Sequence, residues 1–145
     1  MTAHVLYEEI DPQYPASMSE SIIKKILIDE LRFKGVIIAD NIEMKALINH
    51  YALSVILEKT INAGNDMIIL NQEPDFISKC VEESYQLFEK GLIKEEDLNI
   101  KNKKIENLKE EYIVKNKISI QESKKIIKND EVKKLLIYES ENAVK

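Results

Sequence analysis

The 145-residue sequence is poor in the residue types that build several common functional sites. It contains one cysteine, two histidines, three glycines and three prolines. Cys80 has no partner for an internal disulfide, and its place beside Val81 in a helical pattern indicates a packing residue rather than a nucleophile. No cluster has the spacing of metal ligands, and no glycine-rich loop could cradle a phosphate. We therefore expect no metal site and no cofactor.

Long apolar runs and an excess of basic charge are also missing. No stretch approaches the roughly 20 apolar residues that span a bilayer, so we expect no membrane span. The start Met1–Val5 lacks the basic and apolar regions of an export signal. The formal net charge is −5, and without a basic stripe nucleic acid is not an expected partner.

The sequence does contain a regular alternation of strand and helix over its first 72 residues. Three apolar runs predict strands: Met1–Val5, Val36–Ala39 and Met67–Leu70. Strands about thirty residues apart with helices between them are typical of a parallel sheet. The predicted fold class is therefore α/β, with the three runs as adjacent parallel strands.

Amphipathic patterns predict helices over most of the remaining chain. One helix runs from a serine cap near Ser19 to a stop at Gly35, and one continuous helix spans about Met44–Ala63. From Pro74 onward the pattern is helical throughout. The predicted helices there span about 74–90 and 94–114, with one or two short ones in 119–145.

Asp40 is the most informative residue of the chain. It follows the apolar run Gly35–Ala39, a pattern that indicates a buried parallel strand with an acid at its C-terminal end. In open α/β sheets and in β/α barrels that end is where ligands bind. The alternative is that Asp40 merely caps the next helix, and the strand alone does not decide between these roles.

Three strands are too few to close a sheet on itself. An eight-stranded barrel needs about 250 residues, and three short parallel strands leave sheet edges and apolar faces open. The pattern leaves two architectures open, a small open α/β domain or the last part of a larger barrel.

Six segments, in order, resemble the closing strands of the catalytic barrel of glycoside hydrolase family 3, in its bacterial β-N-acetylhexosaminidase branch. They are Met1–Val5, Asp11–Pro12, Pro15–Ser19, Leu31–Val36, Asp40–Met44 and Ala63–Met67. Gly91–Ile93, with Leu98 and Ile105 beyond it, is similar to the helical segment after that barrel. The resemblance covers about residues 1–112. It implies the last three β/α units of a (β/α)8 TIM-type barrel, with residues 1–90 in the barrel and 91–145 as a helical extension or linker.

The resemblance also implies a retaining glycosidase that cleaves terminal β-linked N-acetylhexosamine. Such enzymes hold a nucleophile and an acid/base about 5 Å apart. The family's nucleophile is the aspartate that opens a Ser-Asp-Asp-Leu-x-Met run after a strand, and Asp40 matches it within Ala39–Met44. Ala39 and Asn41 replace the serine and the second aspartate of that run, which leaves the exact sugar open.

The acid/base of this branch has no counterpart in the sequence. It is a histidine in a Lys-His-Phe-Pro-Gly-His-Gly type run, and no such run occurs. His50 falls in a predicted helix, where a surface or packing role is expected. His4 ends the first strand and matches a family histidine, so it is the candidate for substrate binding, with a hydrogen-bonded wall position as the alternative.

The implied partners are therefore a carbohydrate substrate and the missing N-terminal half of the barrel, from the same parent protein or a separate chain. We expect the isolated chain to be inactive. The resemblance is compatible with a bacterial cytoplasmic role in cell-wall recycling and with export, so the location is left open.

Two other classes of function remain open at this point. The chain could be a non-catalytic orphan or split-protein module. It could also be a receiver-like domain in which Asp40 accepts a phosphoryl group, but such domains need a lysine on a later strand end. Met67–Leu70 is instead followed by Asn71 and Gln72. A reading frame upstream that encodes five further β/α units would indicate a truncated or split enzyme.

Overall fold

The computed structural model describes residues 1–71 and 73–114. A first compact unit spans Met1–Leu108, and a second begins at Lys109. The elements that begin in the first unit are a 3₁₀ turn (Ala16–Met18), a π-helix (Ser21–Glu30), β1 (Ile38–Ala39), α1 (Lys45–Ile48), α2 (Leu53–Ala63), β2 (Met67–Ile68), α3 (Pro74–Glu89) and α4 (Glu95–Lys109). A π-helical turn, Glu110–Val114, follows. The helices predicted in 119–145 lie outside the described residues.

Three segments lie parallel, with β1 in the middle. β1 pairs with β2 so that Ile38 is opposite Met67 and Ala39 is opposite Ile68. Thr2 forms a parallel bridge to Ala39, and its amide donates to the Ile38 carbonyl at 2.8 Å. The parallel arrangement predicted from the β/α alternation is confirmed.

The strands are shorter than the apolar runs predicted. Met1–Val5 contributes one bridge, and β1 and β2 contain two residues each. The ladder ends because the chain turns at Asn41, whose Oδ1 accepts from the Glu43 amide at 3.0 Å. An apolar run therefore marked where the sheet lies but overestimated how far its pairing extends.

The prediction of one helix over 44–63 is wrong, because the structure has two. α1 ends at Ile48, and Ala52 takes an extended conformation with ψ 149° before α2 begins. Asn and His, the residues at 49 and 50, rank low in helix propensity. The break lies between Leu47 and Ile56, which are both buried in the same core. His50 accordingly lies in a turn, not in a helix.

The first helix also ends earlier than predicted. It stops at Glu30, and Arg32 reverses the chain with φ 55°. Gly35 has a different role from the predicted helix stop. A Cβ atom there would lie 2.8 Å from the Phe33 ring, so any larger residue would have to displace this aromatic side chain.

The core lies between the sheet and the helices α2 and α3. Its larger cluster has the buried members Met18, Ile42, Leu47, Ile56, Leu57, Cys80, Leu87 and Ile93, and a smaller cluster contains Ile23, Ile37 and Ala63. Cys80 is buried, and burial raises the pKa of its thiol; the packing role predicted for it is confirmed. Among the helices of the described part, none is long and apolar enough to cross a membrane.

The helix stop predicted at Ala63–Gly64 is confirmed, and Gly64 gives a test of local packing. Its φ is +115°, and a Cβ atom would lie 3.1 Å from Ile23 Cγ2. We expect Gly64→Ala to lower the free energy of unfolding by about 1–3 kcal/mol, because both backbone strain and crowding oppose alanine. Urea denaturation measures this loss.

Gly91 provides the matched control for that substitution. Its φ is also positive, at +70°, but nothing lies within 4 Å of a Cβ built there. Gly91→Ala should therefore lower the free energy of unfolding by about 1 kcal/mol, from backbone strain alone. A loss at Gly91 equal to that at Gly64 would show that the contact with Ile23 contributes nothing.

Candidate active site

Asp40 and His4 leave the sheet at the same end. His4 lies two residues beyond the bridge at Thr2, and Asp40 follows β1 directly. Because these segments are parallel, both residues lie at carboxyl ends. The His4 Nε2 atom is 2.9 Å from the carbonyl oxygen of Asn41, the residue after Asp40. The predicted placement of both residues at one end of the sheet is confirmed.

The His4 ring is hydrogen-bonded at both nitrogens. Nε2 donates to the Asn41 carbonyl oxygen, since a carbonyl only accepts. Nδ1 lies 2.6 Å from Ser17 Oγ. In the neutral ring with its proton on Nε2, the hydroxyl of buried Ser17 donates to Nδ1. Both nitrogens are thus engaged within the protein, and the ring tethers the backbone next to Asp40.

The Asp40 carboxylate is restrained by its own neighbour. Oδ1 accepts from the Asn41 amide at 2.8 Å, while the Asp40 amide donates to the Thr2 carbonyl at 3.0 Å. The residue is partly exposed. Within residues 1–71 and 73–114, no hydrogen-bond donor contacts Oδ2, so this oxygen is available to a ligand.

A hydrogen bond connects two loops at this end of the sheet. The Glu43 Oε1 atom accepts from the Asn71 amide at 2.6 Å, which joins the loop after β1 to the loop after β2. Sequence reasoning missed this contact, because no spacing rule connects positions 43 and 71. Only the parallel pairing of the two strands brings these loops together.

Asn65 holds the His4 segment in place, and sequence reasoning missed it as well. Its Oδ1 accepts from Thr2 Oγ1 at 2.8 Å. Its Nδ2 donates to the carbonyl oxygens of Ser17 and Thr60 at 2.8 and 2.7 Å. One buried amide therefore connects the loop before β2 to the bridge segment, the 3₁₀ turn and α2, and so positions both His4 and its partner Ser17.

A cavity of about 470 Å³ opens beside His4. Its lining residues are His4, Leu6, Pro15, Ala46, His50 and Tyr51. The Tyr51 hydroxyl donates to the Gln13 carbonyl at 2.8 Å, and desolvation raises the Tyr51 pKa. Asp40 is not among the lining residues. His50, expected only in a surface or packing role, lies on the same cavity wall as His4.

No group of three or more His, Cys, Asp or Glu side chains in the described part of the chain is arranged to hold a metal ion. The functional groups at this end of the sheet are therefore the Asp40 carboxylate, which has one oxygen without a donor among the described residues, and the His4 imidazole, which is hydrogen-bonded at both nitrogens.

Known protein sequences share this arrangement of segments. The profile described as "Glycosyl hydrolase family 3 N terminal domain" matches residues 1–108. A beta-hexosaminidase of Actinobacillus pleuropneumoniae serotype 5b is 39% identical over 85 residues, which cover 57% of this chain and 24% of the relative. One of Nitrosomonas eutropha is 37% identical over 75 residues, which cover 52% of this chain and 21% of the relative. The chain thus spans less than a quarter of the length of these relatives.

Solved structures share the fold. The β-N-acetylglucosaminidase of Thermotoga maritima has a TM-score of 0.69 and 33% identity, over 74% of this chain and 24% of that chain. The glycoside hydrolase family 3 β-N-acetylglucosaminidase of Paenibacillus sp. str. FPU-7 has a TM-score of 0.76 and 27% identity, over 83% of this chain and 23% of that chain. The α/β class and the family resemblance predicted from the six segments are confirmed. The chain belongs to glycoside hydrolase family 3.

Proposed function

We propose that the chain supplies the nucleophile of a retaining glycosidase that cleaves terminal β-linked N-acetylhexosamine. The observation that carries this proposal is the position of Asp40, a carboxylate directly after the central parallel strand with one oxygen free of protein donors among the described residues. The names of the relatives, beta-hexosaminidase and β-N-acetylglucosaminidase, support the substrate class.

Asp40 acts in this proposal by attack on the anomeric carbon. In a retaining mechanism the nucleophile bonds to this carbon while the leaving oxygen takes a proton from the acid, and water then cleaves the glycosyl ester. The Asn41 amide restrains Oδ1, so Oδ2 is the attacking oxygen. A short side chain at a strand end has few conformations to lose, which favours its alignment with the substrate.

His4 contributes to substrate binding through its position, not through proton transfer. Its ring nitrogens are bonded to Ser17 and to the Asn41 carbonyl, so a sugar would meet the edge or face of the ring. The same bonds hold the backbone of the residue after Asp40. This role differs from that of the acid/base, which comes from elsewhere in the barrel.

We infer that residues 1–90 form the last three β/α units of a (β/α)8 barrel and that a helical extension or linker begins at residue 91; the part of it beyond residue 114 lies outside the described residues. The parallel order of the three segments supports this. So does the match to less than a quarter of each relative. The remaining units, from the same polypeptide or a separate chain, would supply the acid/base histidine and most contacts to the sugar.

The experiment that tests this proposal is reconstitution. Alone, the 145-residue chain should give no measurable hydrolysis of an aryl β-N-acetylglucosaminide, since a proton donor typically contributes about 10²–10⁴-fold and substrate positioning contributes further. Fusion to the N-terminal barrel units of a family 3 β-N-acetylglucosaminidase, or their addition in trans, should restore turnover.

The control for reconstitution is the N-terminal part alone, which lacks a nucleophile and should also be inactive. A non-catalytic module predicts that no combination is active. Substantial turnover by the 145-residue chain on its own would contradict the proposed division of the site.

A further inference from the structure

A second cavity, of about 390 Å³, lies at the end of the sheet opposite to Asp40. Its wall includes Gly64 and Asp66, which precede β2, and residues of α4. Because these residues lie at the amino ends of the parallel strands, the cavity is separate from the candidate active site. Nothing in the proposed glycosidase chemistry uses it.

Four lysines, Lys24, Lys34, Lys101 and Lys104, line this cavity. Lys104 is paired with Asp66 at 2.6 Å, and Lys24 with Glu20 at 3.2 Å. No carboxylate of the described residues lies within 4.0 Å of the ammonium group of Lys101 or Lys34. Two of the four cations therefore have no paired counter-charge.

Lys101 is the more constrained of these two cations. Its Nζ donates to the backbone carbonyl of Asn65 at 2.7 Å. Burial lowers the pKa of Lys101, Asp66 and Asp97 act to raise it, and Lys104 and Lys24 lower it further. Among the described residues its hydrogen-bond acceptor is a neutral carbonyl, so the charge of this partly buried ammonium is balanced only at longer range, by Asp66 and Asp97. An oxyanion in the cavity would balance this charge.

Besides the lysines, the cavity wall carries the carboxylates of Asp66 and Asp97, and most of its remaining members are apolar. Phe33 and Ile28 lie on it, and Phe33 is 44% exposed. The Phe33 ring rests against Gly35, where a Cβ atom would lie 2.8 Å from it. An aromatic ring in such a position offers a flat apolar surface next to the lysines. The combination suits a ligand with one anionic group and one apolar part.

We propose that this cavity binds a small phosphate monoester with an apolar body. Its phosphate contacts Lys101 and Lys34, and its apolar part packs on Phe33 and Ile28. Lysine ammonium groups are compact charges that pair well with phosphate oxygens. A ligand here would connect α4 to the segment after the π-helix, at the end of the sheet remote from Asp40.

Competitive acylation of the lysines tests this proposal on the 145-residue chain, with phenyl phosphate as the probe. The chain is labelled with an amine-reactive acetyl ester, and the rate at each lysine is read by peptide mass spectrometry. At ten times its dissociation constant, phenyl phosphate should slow labelling of Lys101 and Lys34 about tenfold, following simple mass action. Lys103, which lies on α4 but does not line the cavity, is the internal reference and should not change.

Variants and related probes separate the parts of the proposal. Lys101→Met should remove the protection of Lys34, whereas the matched variant Lys103→Met should leave it intact. Benzyl alcohol should protect neither lysine, and inorganic phosphate should protect more weakly than phenyl phosphate. If phenyl phosphate protected Lys103 as strongly as Lys101 and Lys34, or protected no lysine at any concentration, the cavity would not be the binding site. Equal protection by inorganic phosphate and phenyl phosphate would overturn the assignment of an apolar body to the ligand.

Discussion

Replacement of Asp40 by alanine in the reconstituted enzyme should lower turnover of an aryl β-N-acetylglucosaminide by on the order of 10⁶-fold, the size of effect known for loss of a covalent nucleophile. The loss should appear in kcat, because the carboxylate forms its bond to the sugar only as the reaction proceeds. Steady-state kinetics of purified wild-type and variant complexes measure it.

Two controls separate a nucleophile from a structural aspartate. Asp40→Asn keeps the size of the side chain and an oxygen that can accept from the Asn41 amide, yet it should be almost as inactive as Asp40→Ala. Glu9→Ala changes an exposed residue in the turn that follows the His4 segment. This variant should keep activity within about twofold, as expected for a surface substitution.

Chemical rescue gives a further and more specific result. Azide can occupy the space left in Asp40→Ala and attack the anomeric carbon from the same face, so it should form the glycosyl azide of inverted configuration. Residual activity above about 1% in Asp40→Ala, with no azide product, would contradict the assigned role, since a missing nucleophile costs far more than a hundredfold.

The second large effect is expected on stability, at Asp66. Its side chain is only 3% exposed, and its Oδ2 accepts from the Ile37 amide at 2.7 Å and from Lys104 Nζ at 2.6 Å. We expect Asp66→Ala to lower the free energy of unfolding by about 3 kcal/mol, because a buried amide loses its acceptor and a lysine loses its counter-ion. Urea denaturation of both proteins measures the difference.

Lys104→Met is the matched control for Asp66→Ala. It removes the cation but leaves the Asp66 carboxylate, whose side chain is 3% exposed, without its counter-ion, so we expect a loss that is appreciable but stays below the roughly 3 kcal/mol of Asp66→Ala. The Ile37 amide keeps its acceptor in this variant. A loss for Asp66→Ala no larger than that for Lys104→Met would show that the bond to Ile37 is not a major source of stability.

Part of the fold was predictable because it follows from local periodicity. The apolar runs before Asp40 and after Asp66 and the stop at Gly64 carry short-range signals of strand and helix end. Parallel pairing then follows from the β/α alternation. The break between α1 and α2 was not predictable from the pattern, because the apolar spacing continues across it while the backbone does not.

The candidate site shows the same division between local and distant information. Asp40 was identifiable because it directly follows an apolar run and lies in a run that resembles a family motif. The bond from Glu43 to Asn71 and the three bonds of Asn65 were not identifiable. They join positions that are distant in sequence, and polar side chains of these types are equally common on exposed loops.

By itself, the sequence determined the α/β alternation, the strand that leads to Asp40 and the membership of glycoside hydrolase family 3. Only the tertiary structure decided how far the strands pair, which partners hold the His4 ring, and that Lys101 lies in a cavity without a paired carboxylate among the described residues. The physical reason is the range of the interactions. Turns, caps and periodicity act over a few residues, whereas burial and hydrogen-bond partners are set by segments that meet only after folding.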